Sequence, residues 1–182
     1  MREIEIKLRV KDFKDLEAEL RERGCVLSGP IRQEDVIYSK AGSTNEWEQS
    51  KEGQIVVRIR RQSDKAEFNL KQQRSNEMDN LEYETKVEDP EAVHKILLAM
   101  GFEPEVEVKK FRRKGKLGEY EICLDTVDEL GTFIELEKLT DENADPHEVR
   151  EELFQTLEDL GLSRNDEETR GYDTQMYFLR KK

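Results

Sequence analysis

From residue 2 to residue 10 the chain alternates strictly, with Ile4, Ile6, Leu8 and Val10 on one side and Glu3, Glu5, Lys7 and Arg9 on the other. Period two predicts a β-strand with one buried face. Its polar face is unusual, because a solvated face normally mixes Thr, Ser, Lys and Gln, and here two carboxylates are followed by two cations. Carboxylates one strand repeat apart lie roughly 7 Å from each other, close enough to share a cation. The alternation returns downstream. Residues 54–62 set Arg58 and Arg60 against Val57 and Ile59, and residues 67–73 set Asn69 and Lys71 against Phe68 and Leu70. Residues 81–88 set Glu82, Glu84 and Lys86 against Leu81, Tyr83, Thr85 and Val87. Strands are also predicted over 25–27, 33–38, 106–113 with Lys110 and Arg112 on one face, 119–125 with Glu119, Glu121, Cys123 and Asp125 away from the core, and 132–139 with Phe133, Glu135 and Glu137 opposite Ile134 and Leu136.

Helical spacing appears between these runs. Asp12 can cap a helix carrying Phe13, Leu16 and Leu20 and stopping at Gly24. Pro90 opens a helix that Gly101 stops, and a third runs from Pro146 through Val149, Leu153 and Leu157 to Leu160, before Gly161. The tail from residue 169 predicts a short helix ending in basic residues. A turn is expected over 114–118. Residues 40–53 are small and polar around a lone Trp47, which suits a lid or binding loop, or equally a solvent loop that no ligand touches. Seven or eight strands, mostly joined by hairpins, with two long helices, predict an antiparallel α+β protein.

Composition narrows the picture. A length of 182 residues suits one domain over 1–182, yet charged residues are 41% and hydrophobic ones 35%, a poor supply for a two-sided core. A net charge of −12 argues against nucleic acid or an anionic membrane as partner. No run is long and apolar enough to span a bilayer and none reads as a leader, so a cytoplasmic protein is expected. Cys25 and Cys123 make no disulfide framework, and His94 and His147 fall in predicted helices. Any metal is therefore expected on oxygen donors, which points to Mg2+ or Mn2+.

The polar strand faces sort into cations (Lys7, Arg9, Arg58, Arg60, Lys71, Lys86, Lys110, Arg112) and carboxylates (Glu3, Glu5, Glu82, Glu84, Asp125, Glu135, Glu137). If the sheet closes with these faces inward, the lumen must be wet or filled by a charged ligand, since unpaired buried charge is very costly. A polyanion chelated to a divalent metal answers both halves of the set. An open sheet with a salt-bridged solvent face remains the alternative from patterning alone.

The residues also resemble a known family. Glu3-Ile4-Glu5-Ile6-Lys7 looks like the E-x-E-x-K signature that opens CYTH domains, the triphosphate tunnel metalloenzymes. The likeness continues in order through residues 33–38, Arg58-Ile59-Arg60, Leu70-Lys71, Glu82-Tyr83-Glu84, Lys110-Phe111-Arg112 and 124–137, to Gly171-Tyr172. It implies a closed eight-stranded antiparallel barrel with helices packed outside, binding ATP or another triphosphate with Mg2+ or Mn2+. By motif position Glu3, Glu5, Asp125, Glu135 and Glu137 are the implied metal-side acids. Arg58, Arg60, Lys71, Lys86, Lys110 and Arg112 are the implied phosphate grip, with Lys7, Lys110 and Asp125 closest to the chemistry. The stretch 124–137 is most like class IV adenylyl cyclases, which make cyclic AMP and pyrophosphate from ATP. The alternatives are an inorganic or thiamine triphosphatase and a non-catalytic nucleotide or polyphosphate binder. A homodimer is left open. The His-Phe pair that tends to precede E-x-E-x-K in bacterial cyclases of this class is absent, Ile37 stands where an aromatic is common, and Gly171 where Ser is common.

Overall fold

A computed structural model describes residues 2–41, 47 and 51–181. Its strands are β1 (Arg2–Val10), β2 (Ile31–Lys40), β3 (Ile55–Gln62), β4 (Lys65–Gln73), β5 (Asp79–Val87), β6 (Phe102–Leu117), β7 (Tyr120–Val127) and β8 (Gly131–Thr140). They form a closed barrel in the order β1-β5-β4-β3-β2-β6-β7-β8, and every pairing is antiparallel. The helices are α1 (Lys14–Glu22), α2 (Pro90–Ala99), α3 (Pro146–Asp159) and α4 (Tyr172–Arg180). No helix of the described residues is long and apolar enough to cross a membrane.

Alternation does the sorting. The outward residues Ile4, Ile6, Leu8, Ile122, Leu124, Ile134 and Leu136 of β1, β7 and β8 are buried with Leu16 and Leu20 of α1 and Val149, Leu153 and Leu157 of α3. On the far side Tyr38, Val57 and Ile59 are buried with Leu97 of α2. Helices α2 and α3 start alike: Asp89 accepts from the Ala92 amide (3.0 Å) and Asp145 from the His147 amide (2.8 Å), each just before a proline. Asp12 accepts from the Lys14 amide at 3.0 Å and so marks the start of α1.

Three expectations need correction. Residues 25–27 form no strand: their backbone crosses β6 at Gly115, with the Cys25 amide on Leu20 O (2.9 Å) and the Ser28 amide on Lys114 O (2.8 Å) in place of a ladder. A Cβ at Gly115 would lie 2.7 Å from Cys25 Sγ and 3.1 Å from Val26 O, so the crossing needs glycine. Strand β6 is longer than 106–113, because it pairs β2 from Phe102 onward and β7 as far as Leu117. The turn shrinks from 114–118 to Gly118-Glu119, with Gly118 at φ +64. Within β6, Glu105 is the extra residue between the Ile37–Val106 and Tyr38–Pro104 pairs, a bulge beside a proline that has no N–H to give the ladder. Of the polar loop 40–53, residues 42–46 and 48–50 lie outside the described set.

The barrel closes unevenly. β1 pairs β8 over its whole length, Arg2 to Val10, but pairs β5 only from Arg2 to Ile4. Beyond Ile4 the gap is covered by residues near Met78 and 167–170, with the Glu5 amide on Met78 O and the Glu168 amide on Lys7 O, both 2.9 Å.

Candidate active site

The charged faces turn inward, as closure requires, and enclose a cavity of 460 Å3. Lys7, Arg58, Arg60, Lys71, Lys110, Arg112 and Lys114 line it with ten carboxylates, Glu3, Glu5, Asp35, Glu77, Glu82, Glu84, Glu121, Glu135, Glu137 and Asp173. With all groups ionised that wall is net negative, so a bare polyanion is repelled unless a cation accompanies it.

The lining divides into two electrostatic settings. In the first, carboxylates and cations are matched. Arg112 Nε donates to Asp125 Oδ1 at 2.7 Å, and its Nη2 donates to both Asp125 and Glu135. Lys110 Nζ lies 3.2 Å from Asp125 Oδ2. Asp125 has no exposed surface and sits behind the cavity wall. Burial opposes ionisation of Asp125 and Glu135 but is outweighed, first by Arg112, so both lie below the usual carboxylate range. Burial and the neighbouring Arg112 charge bring the Lys110 ammonium down to about 8 against the pull of Asp125. Across the barrel Asp35, which sequence reasoning did not select, accepts from Arg60 Nε and Nη2 at 2.7 Å each, with Arg58 Nη1 at 3.5 Å. Lys71 pairs with Glu82, whose carboxyl is pulled to about 2 as Lys71 and Arg58 overcome burial. Lys7 is 1% exposed; its Nζ is 3.6 Å from both Glu5 and Glu135 and 3.2 Å from Arg170 O. Tyr172, the first residue of α4, places its ring 4.3 Å from Lys7 Nζ and 4.8 Å from Lys110 Nζ.

In the second setting carboxylates crowd one another. Ligand oxygens of Glu3, Glu5 and Glu137 all lie within 4.8 Å of each other, while the nearest cations stand off: Lys71 at 3.9 Å from Glu3, Lys7 at 3.6 Å from Glu5 and Arg112 at 3.8 Å from Glu137. Burial pushes Glu3 up to about 7 against the opposing Lys71 charge. Glu5 is raised by burial and Glu135, and Glu137 well raised by burial and Glu3. Three hard oxygen donors this close, each pushed toward its protonated form while no cation is near, suit hard divalent cations. Glu137 also joins Glu121 and Cys123 in a second such group, where the soft sulfur suits those ions poorly.

Of the residues expected at the site, the structure gathers Glu3, Glu5, Lys7, Arg58, Arg60, Lys71, Lys110, Arg112, Glu135 and Glu137 around the cavity, with Asp125 directly behind. Two cations are left out. Lys86 is exposed near the end of β5, outside the lining. Arg9 lies at the rim, donating to Leu130 O at 2.6 Å with its guanidinium 4.5 Å from the Phe133 ring. Sequence reasoning also missed that the barrel's α4 end is apolar inside. Ile37, Val106, Val108, Val127 and Phe133 are buried there with Trp47, Tyr172 and Met176.

Comparison with known proteins agrees with this geometry. A family model described as the CYTH domain matches residues 1–172. A Methanocaldococcus jannaschii protein named "Putative adenylate cyclase" is 27% identical over 168 residues, covering 91% of this chain and 93% of that protein. Two solved structures of Pyrococcus horikoshii OT3 proteins, each 26% identical, superpose with TM-scores of 0.78 and 0.79. The first covers 96% of this chain and 98% of its own, the second 99% of each.

Proposed function

The chain belongs to the CYTH domain family, and from that premise we propose that it is a divalent-metal-dependent enzyme acting on a triphosphate, in the manner of a class IV adenylyl cyclase that converts ATP to cyclic AMP and pyrophosphate. The observation that carries the reading is the belt of cations around one cavity, Lys7, Arg60, Lys110 and Arg112 buried and Lys71 half-buried, each already beside a carboxylate it can exchange for phosphate oxygens. The relative named "Putative adenylate cyclase", matched over 93% of its length, supports the finer assignment.

In this reading Arg58, Arg60, Lys71 and Arg112 grip the phosphates, by charge-assisted hydrogen bonds that the guanidinium forks make in pairs. Lys7 and Lys110 take up charge developing on the departing oxygens. Asp125 does not face the ligand; it fixes Arg112 and Lys110 in position. Glu3, Glu5 and Glu137 hold the metal, with Glu135 between that group and Arg112. Bound Mg2+ or Mn2+ supplies Lewis-acid polarisation of phosphate oxygens. Cyclisation then needs the ribose 3′-hydroxyl in line with the α-phosphorus. Hydrolysis needs water in line with the γ-phosphorus.

A triphosphatase is the second reading, favoured by the carboxylate cluster lying toward the barrel end opposite α4, where a terminal phosphate would sit if the organic group lay at the apolar end. A pure binder gains little from acids crowded beside an anion. Product analysis separates the three. After incubation with ATP and Mn2+ or Mg2+, cyclic AMP and pyrophosphate are expected. Orthophosphate from inorganic tripolyphosphate with no cyclic product would transfer the assignment to a triphosphatase, and ATP binding without turnover of either substrate would leave a binder.

A further inference from the structure

Two buried polar atoms in the cavity wall have no partner among the described residues: Nε of Arg58, a donor, and Oδ1 of Asn69, an acceptor. Arg58 on β3 stands directly opposite Asn69 on β4 in the antiparallel ladder, a placement that sets their Cβ atoms roughly 5 Å apart. Asn69 is 1% exposed. Buried polar atoms are rarely left unmade, because each keeps its full desolvation cost. An orphaned donor opposite an orphaned acceptor marks a place made for a third group.

Their surroundings fix which atom is free. Asn69 Nδ2 donates to Glu82 Oε2 at 3.0 Å. The Glu82 carboxyl, pulled to about 2, is ionised and can only accept, so the amide nitrogen has to face it and the amide oxygen is the end left over. Arg58 reaches Asp35 through Nη1 at 3.5 Å, which leaves Nε uncommitted.

An ionised phosphate oxygen satisfies Arg58 Nε but sets acceptor against acceptor at Asn69. A metal ion satisfies Asn69 Oδ1 and is repelled by the guanidinium. A hydroxyl satisfies both, its oxygen accepting from Arg58 Nε and its hydrogen going to Asn69 Oδ1. Resting on the triphosphate reading above, we propose that Asn69 is a further catalytic residue, whose side-chain oxygen, with Arg58 Nε, orients the attacking hydroxyl among the phosphate-gripping cations. That hydroxyl is the ribose 3′-hydroxyl in a cyclase and water in a triphosphatase, and the two present the same chemistry to this pair. A neutral amide takes no proton. Phosphoryl transfer passes through a largely dissociative transition state, so what the nucleophile needs beforehand is direction rather than a base, its hydrogen on Asn69 and a lone pair toward phosphorus. The new O–P bond forms as the bond to the departing phosphate breaks, and the hydroxyl proton passes to a phosphate oxygen.

The test compares Asn69→Val with Asn69→Thr, which match in shape and differ in the oxygen, so any loss of packing is common to both. kcat and KM are measured for ATP and for inorganic tripolyphosphate, each with Mg2+; cyclic AMP identifies the ribose hydroxyl as the nucleophile and orthophosphate identifies water. Asn69→Val is expected to lower kcat about a hundredfold, the scale of a misplaced reactant, with KM little changed. Asn69→Thr, whose hydroxyl can donate to Glu82 and accept from the nucleophile together, should recover most of that loss. Arg58→Lys keeps the charge and removes Nε, and combined with Asn69→Val it should lose little more kcat than the worse single variant, because both hold one oxygen. Should Asn69→Val not fold, Arg58→Lys alone should still lower kcat beyond its effect on KM. Equal kcat in the Val and Thr variants, or additive losses in the double variant, overturns the proposal and leaves the triphosphate site standing. So does a native chain that binds ATP or tripolyphosphate and turns over neither. If neither ligand binds the native chain, the triphosphate reading falls and this inference falls with it.

Discussion

At Arg112 two carboxylates, Asp125 and Glu135, meet a guanidinium at hydrogen-bond distance and are held ionised. On β1 and the next inward position of β8, Glu3, Glu5 and Glu137 crowd within 4.8 Å of each other, and all three are pushed toward the protonated form. The residue types are the same, the strands overlap and the cavity is shared. The difference is whether positive charge is built into the wall or has to be supplied from outside. A buried carboxylate with a bidentate partner is structure. A buried carboxylate surrounded by its like is a binding site in waiting, because the repulsion it stores is relieved when a cation arrives.

The largest expected effect breaks the matched side. Arg112→Ala strands Asp125 and Glu135 without their main partner, and should cost about 3–5 kcal/mol of stability as for other broken buried ion pairs. Urea unfolding measures it; a loss below about 1 kcal/mol would mean that the two settings are not distinct.

Next comes the crowded side. Mg2+ at a hundred times its Kd should stabilise the native chain by about 2.7 kcal/mol, read as a rise in Tm. Glu5→Gln should abolish that rise and turnover together, while leaving the metal-free protein as stable as the native chain or slightly more so. Glu5→Gln with an intact Mg2+-dependent Tm shift would remove Glu5 from the metal group.

The smallest effect concerns pH, and the two settings should respond with opposite sign in chelator. Glu3, raised to about 7, stabilises the fold while protonated; that contribution is complete below the ordinary value near 4.5 and is lost as pH rises through 7. Asp35 and Glu82 are lowered, so their contribution holds above the ordinary carboxylate range and is lost as pH falls through their depressed values. Unfolding free energy without metal should therefore decline between pH 5 and 8 in the native chain, less so in Glu3→Gln, and Mg2+ should flatten the decline. A native profile unaffected by Glu3→Gln would show that Glu3 titrates normally.

Much of this was legible in the chain. Strict alternation in β1, β3, β4 and β8 assigned inward and outward faces, and the closed barrel turned those charges to one cavity. The division of labour among the acids was not legible. Whether Asp125 faces a metal or an arginine depends on its position opposite Arg112 in the β6–β7 ladder and on Glu135 from β8. Asp35 was hidden for the same reason, being read only when β2 pairs with β3 and sets it opposite Arg60. Lys86 has the correct parity but lies too far along β5 to reach the cavity, and alternation carries no information about depth. The apolar α4 end was written as isolated residues on β2, β6, β7 and β8, which become a wall only when those strands meet.

The short seam between β1 and β5 bears on how the chain reaches this state. Among the described strands β1 comes before the other seven, yet the partner it pairs along its full length is β8, which follows six others along the chain. Until then an amphipathic strand with one greasy face has only Arg2 to Ile4 to rest on β5. Loop closure over most of the chain must precede that reward, so annealing of the first strand to the last is expected to be a late, slow event. During that interval the unpaired edge of β1 is expected to be open to capture by a neighbouring chain.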